Sequence, residues 1–195
     1  MNNMPPETKR VFVGLVIKAE ENSSFISMLK KLRITADRKE LDMKWVPKAN
    51  LHLTLKFIGE VEAEKLLQIR EALRELSAED LPRELDLRGL GGFPDETQSR
   101  VVWTGVANDK PLRALQAKVE ERLAPLNLPE AQEPFSPHIT IGRLRNRKNI
   151  VDFISPFVRK DFGSTPITRV TLFESRLQGH YPVYIPLEEY PALLV

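Results

Sequence analysis

Two short segments of the chain repeat one pattern of chemistry-bearing residues, His52-Leu53-Thr54-Leu55 and His138-Ile139-Thr140-Ile141. In each, a histidine and a threonine alternate with aliphatic residues. Alternation is the period of a β-strand, so both polar side chains project from one face while the aliphatic ones pack behind. The sequence holds three histidines, and two are committed to this pattern. An imidazole titrates at about 6.5, so near neutrality one ring can be neutral and the other protonated. A neutral ring takes a proton from attacking water and a protonated ring gives one to a departing alkoxide, each worth about 10²–10⁴ in rate. The hydroxyls of Thr54 and Thr140 can donate to the non-bridging oxygens of a phosphodiester, where charge collects in the transition state. These are the parts of an acid–base site for phosphate chemistry, and this division of labour requires no metal.

Other readings of the same residues are weaker. A single His-x-Thr on a strand is commonly incidental, because threonine is a good strand former. Two copies that consume two of three histidines shift the balance toward a site. A zinc centre needs three or four ligands. Each motif supplies one, there is no cysteine, and only His180 is left over. A serine hydrolase would show a Gly-x-Ser-x-Gly elbow, which is lacking.

The elements that must position the motifs can be read from periodicity and breakers. Strands are predicted over 11–17, 41–46 (closed by Pro47), 51–58 (carrying the first motif and ended by Gly59), 84–90, 101–107 and 138–144. A helix over 22–39 takes Asn22 or Ser23 as its N-cap. The helix over 61–76 has an apolar stripe of Leu66, Leu67, Ile69, Leu73 and Leu76. A third helix spans 110–123, with Pro111 suited to its first turn. Gly91-Gly92-Phe93-Pro94 reads as a turn. Pro125, Pro129, Pro134 and Pro137 punctuate an irregular approach to the second motif. A short helix follows over 149–158, then strands over 167–177 and 181–187 as a hairpin around Gln178-Gly179-His180. Helices lie between some strands and not others, so an α+β fold with a mixed or antiparallel sheet is expected, not a doubly wound parallel one. Each half sets one His-x-Thr strand among helices and strands. That coarse echo implies a duplicated unit with pseudo-two-fold geometry and two motif strands facing across a groove.

Composition is compatible with this. A chain of 195 residues fits one large domain or two closely packed lobes, burying roughly 70% of its unfolded surface. The absence of cysteine excludes disulfides, thiolate metal sites and cysteine nucleophiles, and is compatible with a cytoplasmic setting. No stretch approaches the ~20 apolar residues of a membrane span, and residues 1–9 lack the apolar core of a secretory signal. A net charge of +2 argues against a nucleic-acid coat protein. It leaves open an enzyme that acts on one nucleic-acid end through a local basic patch.

With these residues in view, the chain resembles the 2H phosphoesterases, named for paired His-x-Thr-x motifs, and within them the RNA 2′,3′-cyclic phosphodiesterases once described as 2′-5′ RNA ligases. The similarity is carried by Trp45-Val46-Pro47 leading into Asn50-Leu51-His52-Leu53-Thr54-Leu55-Lys56-Phe57-Ile58-Gly59-Glu60. It continues in Pro137-His138-Ile139-Thr140-Ile141-Gly142-Arg143, in Leu172-Phe173-Glu174-Ser175-Arg176-Leu177, and in the opening Arg10-Val11-Phe12-Val13. The resemblance covers nearly the whole chain. It implies a single bilobal α+β domain over 1–195, with mostly antiparallel sheets lining a central cleft and helices outside. It implies hydrolysis of a terminal 2′,3′-cyclic phosphate on RNA, or of a cyclic nucleotide, to a 2′-phosphate. His52 would be the proton donor to the leaving oxygen and His138 the proton acceptor from water. No metal or other cofactor is implied. The reverse reaction would give weak 2′-5′ ligation. A monomeric cytoplasmic enzyme without membrane contact is the expectation. The competing classes are a non-catalytic nucleotide- or RNA-binding module and a phosphoesterase for small cyclic phosphates or 2′-5′ oligonucleotides.

Several further residues bear on the site. Arg143 is a candidate to clamp phosphate oxygens with Thr54 and Thr140; alternation puts it on the face opposite His138 and Thr140 unless a twist or bulge intervenes, so phosphate binding and a structural role stand level. By the same alternation Lys56 shares the groove face with His52 and Thr54. Arg143, Arg145, Arg147 and Lys148 form a basic cluster that is either a solvated loop or a guide for an RNA backbone. Phe57, Phe93, Phe135 and Trp45 are core residues or candidates for stacking on a terminal base. His180 is assigned to a surface turn.

Overall fold

The alternating pattern of the two motifs is realised as two long strands at the middle of one antiparallel sheet. The computed structural model describes residues 7–130, 133–178 and 181–191. Among these the strands are β1 (Thr8–Val16), β2 (Met43–Trp45), β3 (His52–Glu62), β4 (Glu84–Phe93), β5 (Ser99–Val106), β6 (His138–Lys148), β7 (Asp161–Pro166), β8 (Val170–Gln178) and β9 (Tyr181–Tyr190). The helices are α1 (Ser23–Arg38), α2 (Ala63–Leu73), α3 (Lys110–Leu123) and the single turn α4 (Val151–Ile154). The strand order is β7-β4-β5-β6-β3-β1-β8-β9, with β2 added beside β6. The fold is therefore the α+β, antiparallel arrangement expected. The order also divides into two sets of four strands, each with its motif strand innermost. The sets meet where Leu53 of β3 pairs with Ile139 of β6.

The helices cover the face that the motif polar groups leave. Phe25, Met28, Leu29, Leu32 and Ala36 of α1 are buried at helical spacing. Asn22 caps this helix, its Oδ1 accepting from the Phe25 amide at 2.8 Å. Its Nδ2 donates to the Ser164 carbonyl of β7 at 3.0 Å, so one buried side chain fixes both the start of α1 and its place on the sheet. Leu112, Leu115, Val119 and Leu123 give α3 its buried stripe, with Pro111 in its first turn. α1, which follows β1, packs on β7 of the other set, and α3, which follows β5, packs on β3. Each half is thus covered in part by a helix from its counterpart.

Several expected boundaries move for identifiable reasons. Gly59 does not end its strand: at φ 97° it absorbs a bulge opposite Val11 and Phe12, and β3 continues to Glu62. Gly91-Gly92-Phe93 is strand, not turn. Gly91 leaves room for the Trp103 ring of β5, with which a Cβ would collide. β7 has no counterpart among the expected strands, because Asp161, Gly163 and Pro166 are poor strand formers and pairing to β4 overrides them. Leu67, read as part of the α2 stripe, is 63% exposed. The helix expected over 149–158 shortens to α4 and a 3₁₀ turn at Ser155–Phe157, where Pro156 disfavours further helix. The two strands expected near the end of the chain are β8 and β9, which pair with each other. The turn at Gly179 and His180 lies outside the described residues, so the surface role expected of His180 does too.

Candidate active site

The pairing of Leu53 with Ile139 sets the geometry of the site. Antiparallel register from that one pair sets His52 toward Thr140 and Thr54 toward His138. All four line one cavity of ≈ 190 Å³, together with Arg143, Trp45 and Tyr184.

Burial runs identically along the two motif strands: half-buried at His and Thr, buried at the next two residues after Thr, exposed at the third. Two adjacent buried residues mark a break in alternation. Val13 faces Lys56 but Gly14 faces Thr54, so Leu55 is an extra residue. Val102 faces Gly142 but Trp103 faces Thr140, so Ile141 is its counterpart. A one-residue bulge reverses which face later side chains take. Arg143 is thereby brought onto the groove, despite its parity. Lys56 is turned away from it, and the expectation that it faces the groove is overturned. Its side chain is buried, with Nζ 2.5 Å from the Glu120 carboxylate of α3. At the position equivalent to Arg143, the first half presents Phe57.

Each catalytic-type ring is held in the same way. His52 Nδ1 lies 2.7 Å from the Asn50 carbonyl, and His138 Nδ1 lies 2.8 Å from the Ser136 carbonyl. A carbonyl only accepts, so Nδ1 carries the proton in both rings and Nε2 is left for chemistry. Aromatic walls complete the grip. Phe12 and Tyr184 sit 5.1 and 4.7 Å from the His52 ring. Phe93 and Trp103 sit 4.8 and 6.3 Å from that of His138. Asn50 also donates from Nδ2 to the Pro182 carbonyl at 3.1 Å, tying the approach to His52 onto β9.

Burial lowers the pKa of both imidazoles, because the charged form loses hydration. The carbonyl contacts oppose this in part, and the Arg143 guanidinium adds to it at both rings. Positive charge on either ring disfavours charge on the other, so the pair takes up its protons in coupled steps. Tyr184 is raised by burial and keeps its phenolic proton, making it a neutral donor on the cavity wall.

The sequence reading missed Tyr184 and Phe12, both of which touch His52. Tyr184 lies far along the chain on β9, where no local pattern marks it. Phe93 packs on His138, and Trp45 lines the cavity beneath the Arg33 guanidinium, 5.3 Å from the ring. Phe135 lies instead under Arg113, 5.8 Å from its ring. Arg145 is exposed and pairs with Asp42 at 3.0 Å. Among the described residues, no three His, Asp or Glu side chains converge as a metal-ligand set, and no helix is long and apolar enough to cross a membrane.

The chain belongs to the 2′-5′ RNA ligase superfamily, whose family model matches residues 22–178. A protein of Archaeoglobus fulgidus named RNA 2′,3′-cyclic phosphodiesterase is 35% identical over 177 residues, covering 90% of this chain and 96% of that protein. One of the same name from Aquifex aeolicus is 30% identical over 161 residues, covering 78% and 86%. Among solved structures, E. coli LigT complexed with 3′-AMP matches with a TM-score of 0.71 at 26% identity, covering 94% of this chain and 98% of that one. A protein of Thermus thermophilus matches with a TM-score of 0.70 at 31% identity, covering 92% and 96%.

Proposed function

We propose that this chain hydrolyses the terminal 2′,3′-cyclic phosphate of RNA to a 2′-phosphate without a metal. The observation that carries the reading is the pair of imidazoles in one small cavity, each with Nδ1 tied to a carbonyl and Nε2 free. The names of the relatives and the 3′-AMP held by LigT support the substrate class. His138 takes the proton of a water whose oxygen forms the new bond to phosphorus. The bond from phosphorus to O3′ breaks, and His52 delivers its proton to that oxygen. Thr54, Thr140 and Arg143 hold the non-bridging oxygens as charge builds on them. When the 5′-hydroxyl of a second RNA end stands in for water, its oxygen forms the bond to phosphorus as the bond to O3′ breaks, and the product is a weakly formed 2′-5′ join. The cytoplasm and a monomeric state complete the proposal.

The two roles are separable by experiment. Replacing either histidine by Ala lowers turnover of an RNA-terminal cyclic phosphate by at least about 10². A nucleoside phosphodiester with a p-nitrophenyl leaving group needs no protonation on departure. On that ester His52→Ala recovers most of its rate while His138→Ala does not. Recovery by His138→Ala instead reverses the roles, and binding of the cyclic end without turnover defeats the enzyme reading. Activity persists in excess EDTA; its loss there and return with zinc or manganese defeats the metal-free step.

A further inference from the structure

We infer that the groove beside His52 is a subsite for the nucleotide immediately upstream of the reacting end, with Phe57 and Arg10 as its platform. The inference rests on the activity proposed above and extends it from the phosphate to the chain that carries it. The cavity between the two rings, ≈ 190 Å³, is smaller than a nucleotide needs and suits the phosphate-bearing end alone. It shares His52, Thr54, Arg143, Pro182 and Tyr184 with a second, larger hollow of ≈ 610 Å³ that runs over β1, β8 and β9. Pockets of this larger size hold ligands on the nucleotide scale. A 2′,3′-cyclic phosphate occupies both O2′ and O3′ of the last ribose, so the RNA can leave only through O5′. The wider hollow adjoins His52 and has room for that chain.

That opening is furnished for a single strand. The bulge at Leu55 lifts Phe57 onto it, 51% exposed, although a phenylalanine ring gains most from burial. The Arg10 guanidinium of β1 lies over this ring, 4.9 Å from its centroid. A planar cation backed by an aromatic face is a surface on which any base can stack. On the far wall Arg176 is fixed by Glu174, with Nε at 2.6 Å and Nη2 at 3.0 Å from the carboxylate. Lys9 donates to the same carboxylate at 3.1 Å, so Glu174 is neutralised within the wall. Arg143, Arg10 and Arg176 thus line the hollow against Glu60, and its balance favours a polyanion. The two bulges divide the work: one presents a guanidinium where phosphate reacts, its pseudo-symmetric twin an aromatic ring where the chain departs.

The test compares kcat/KM on adenosine 2′,3′-cyclic phosphate and on a triadenylate with the same cyclic end. Wild type favours the triadenylate by about 5- to 150-fold, the range of one base–aromatic stack. Phe57→Ala abolishes that preference and leaves the mononucleotide rate within about twofold, while Phe57→Trp keeps the preference. Arg10→Ala reduces the preference and makes the triadenylate rate less sensitive to salt. An equal loss on both substrates in Phe57→Ala assigns the ring to the terminal base and overturns the inference, as does an unchanged triadenylate preference. If wild type cleaves neither substrate, the proposed activity falls. The subsite is then read from equilibrium binding of the two ligands to a catalytically silent protein, with the same ranking expected and equal affinities overturning it.

Discussion

A backbone carbonyl two residues upstream decides what each imidazole can do. The carbonyls of Asn50 and Ser136 fix the protonated nitrogen and leave Nε2 as the basic one. That the two histidines share one face was legible, because both sit in repeated alternating motifs. Their tautomer was not, since every residue type carries a carbonyl. The downward pKa shifts of His52 and His138 give two expectations. The bell-shaped profile of kcat/KM has both apparent pKa values below that of free imidazole, about 6.5, and they belong to the pair. A profile centred well above neutrality contradicts this. The same shifts affect stability. In the unfolded chain both rings take up protons below about 6.5, while in the fold they resist until lower pH. The unfolded state binds more protons in that window, so stability falls as pH drops from about 6.5 through the folded pKa values. Denaturant midpoints measured at pH 7.5 and 5.5 should fall on acidification in the wild type and do so less in a His52→Ala, His138→Ala double variant.

At the scale of elements, the two bulges matter more than the strands that contain them. Period-two alternation placed His52, Thr54, His138 and Thr140 on one face. It then mis-assigned Lys56 and admitted Arg143 to that face only through a bulge, and the extra residue at Leu55 and at Ile141 supplies that reversal. Such a residue is hard to see in advance: Leu55 and Ile141 fit an unbroken alternation just as well. The consequence separates two cations of similar sequence context. Arg143→Ala should lower kcat/KM by about 10²–10³, the loss typical of one transition-state donor, and Arg143→Lys should restore little because the planar fork is gone. Lys56→Met should leave kcat/KM unchanged and cost about 1–2 kcal/mol of stability through its lost bond to Glu120, less than a fully buried pair because Glu120 can rehydrate. Steady-state kinetics with denaturant titration of the three variants decides it, and a kinetic defect in Lys56→Met alone contradicts the bulge assignment. The cap of α1 was legible from local sequence as Asn22 or Ser23, and the bond to the Phe25 amide selects Asn22. Its bond to Ser164 was not, being a contact between distant segments.

Across the whole molecule, the echo between the two motifs is realised as two four-strand sets about one sheet, an order that no local pattern specifies. The helices bind the sets together, since α1 lies on β7 and α3 on β3, each on the half it does not directly extend. Neither half keeps its complete apolar cover if the other unfolds. Far-UV circular dichroism and the fluorescence of Trp45 and Trp103 should therefore report one coincident denaturation transition, and separated midpoints would show the halves to be independent. The join at Leu53 and Ile139 has a further effect. Phe12 and Tyr184 support one imidazole and Phe93 and Trp103 the other, each from within its own half. The seam between β3 and β6 consequently sets the spacing of two rings that are each braced independently, so a substitution at Leu53 or Ile139 should change that spacing and spare either brace.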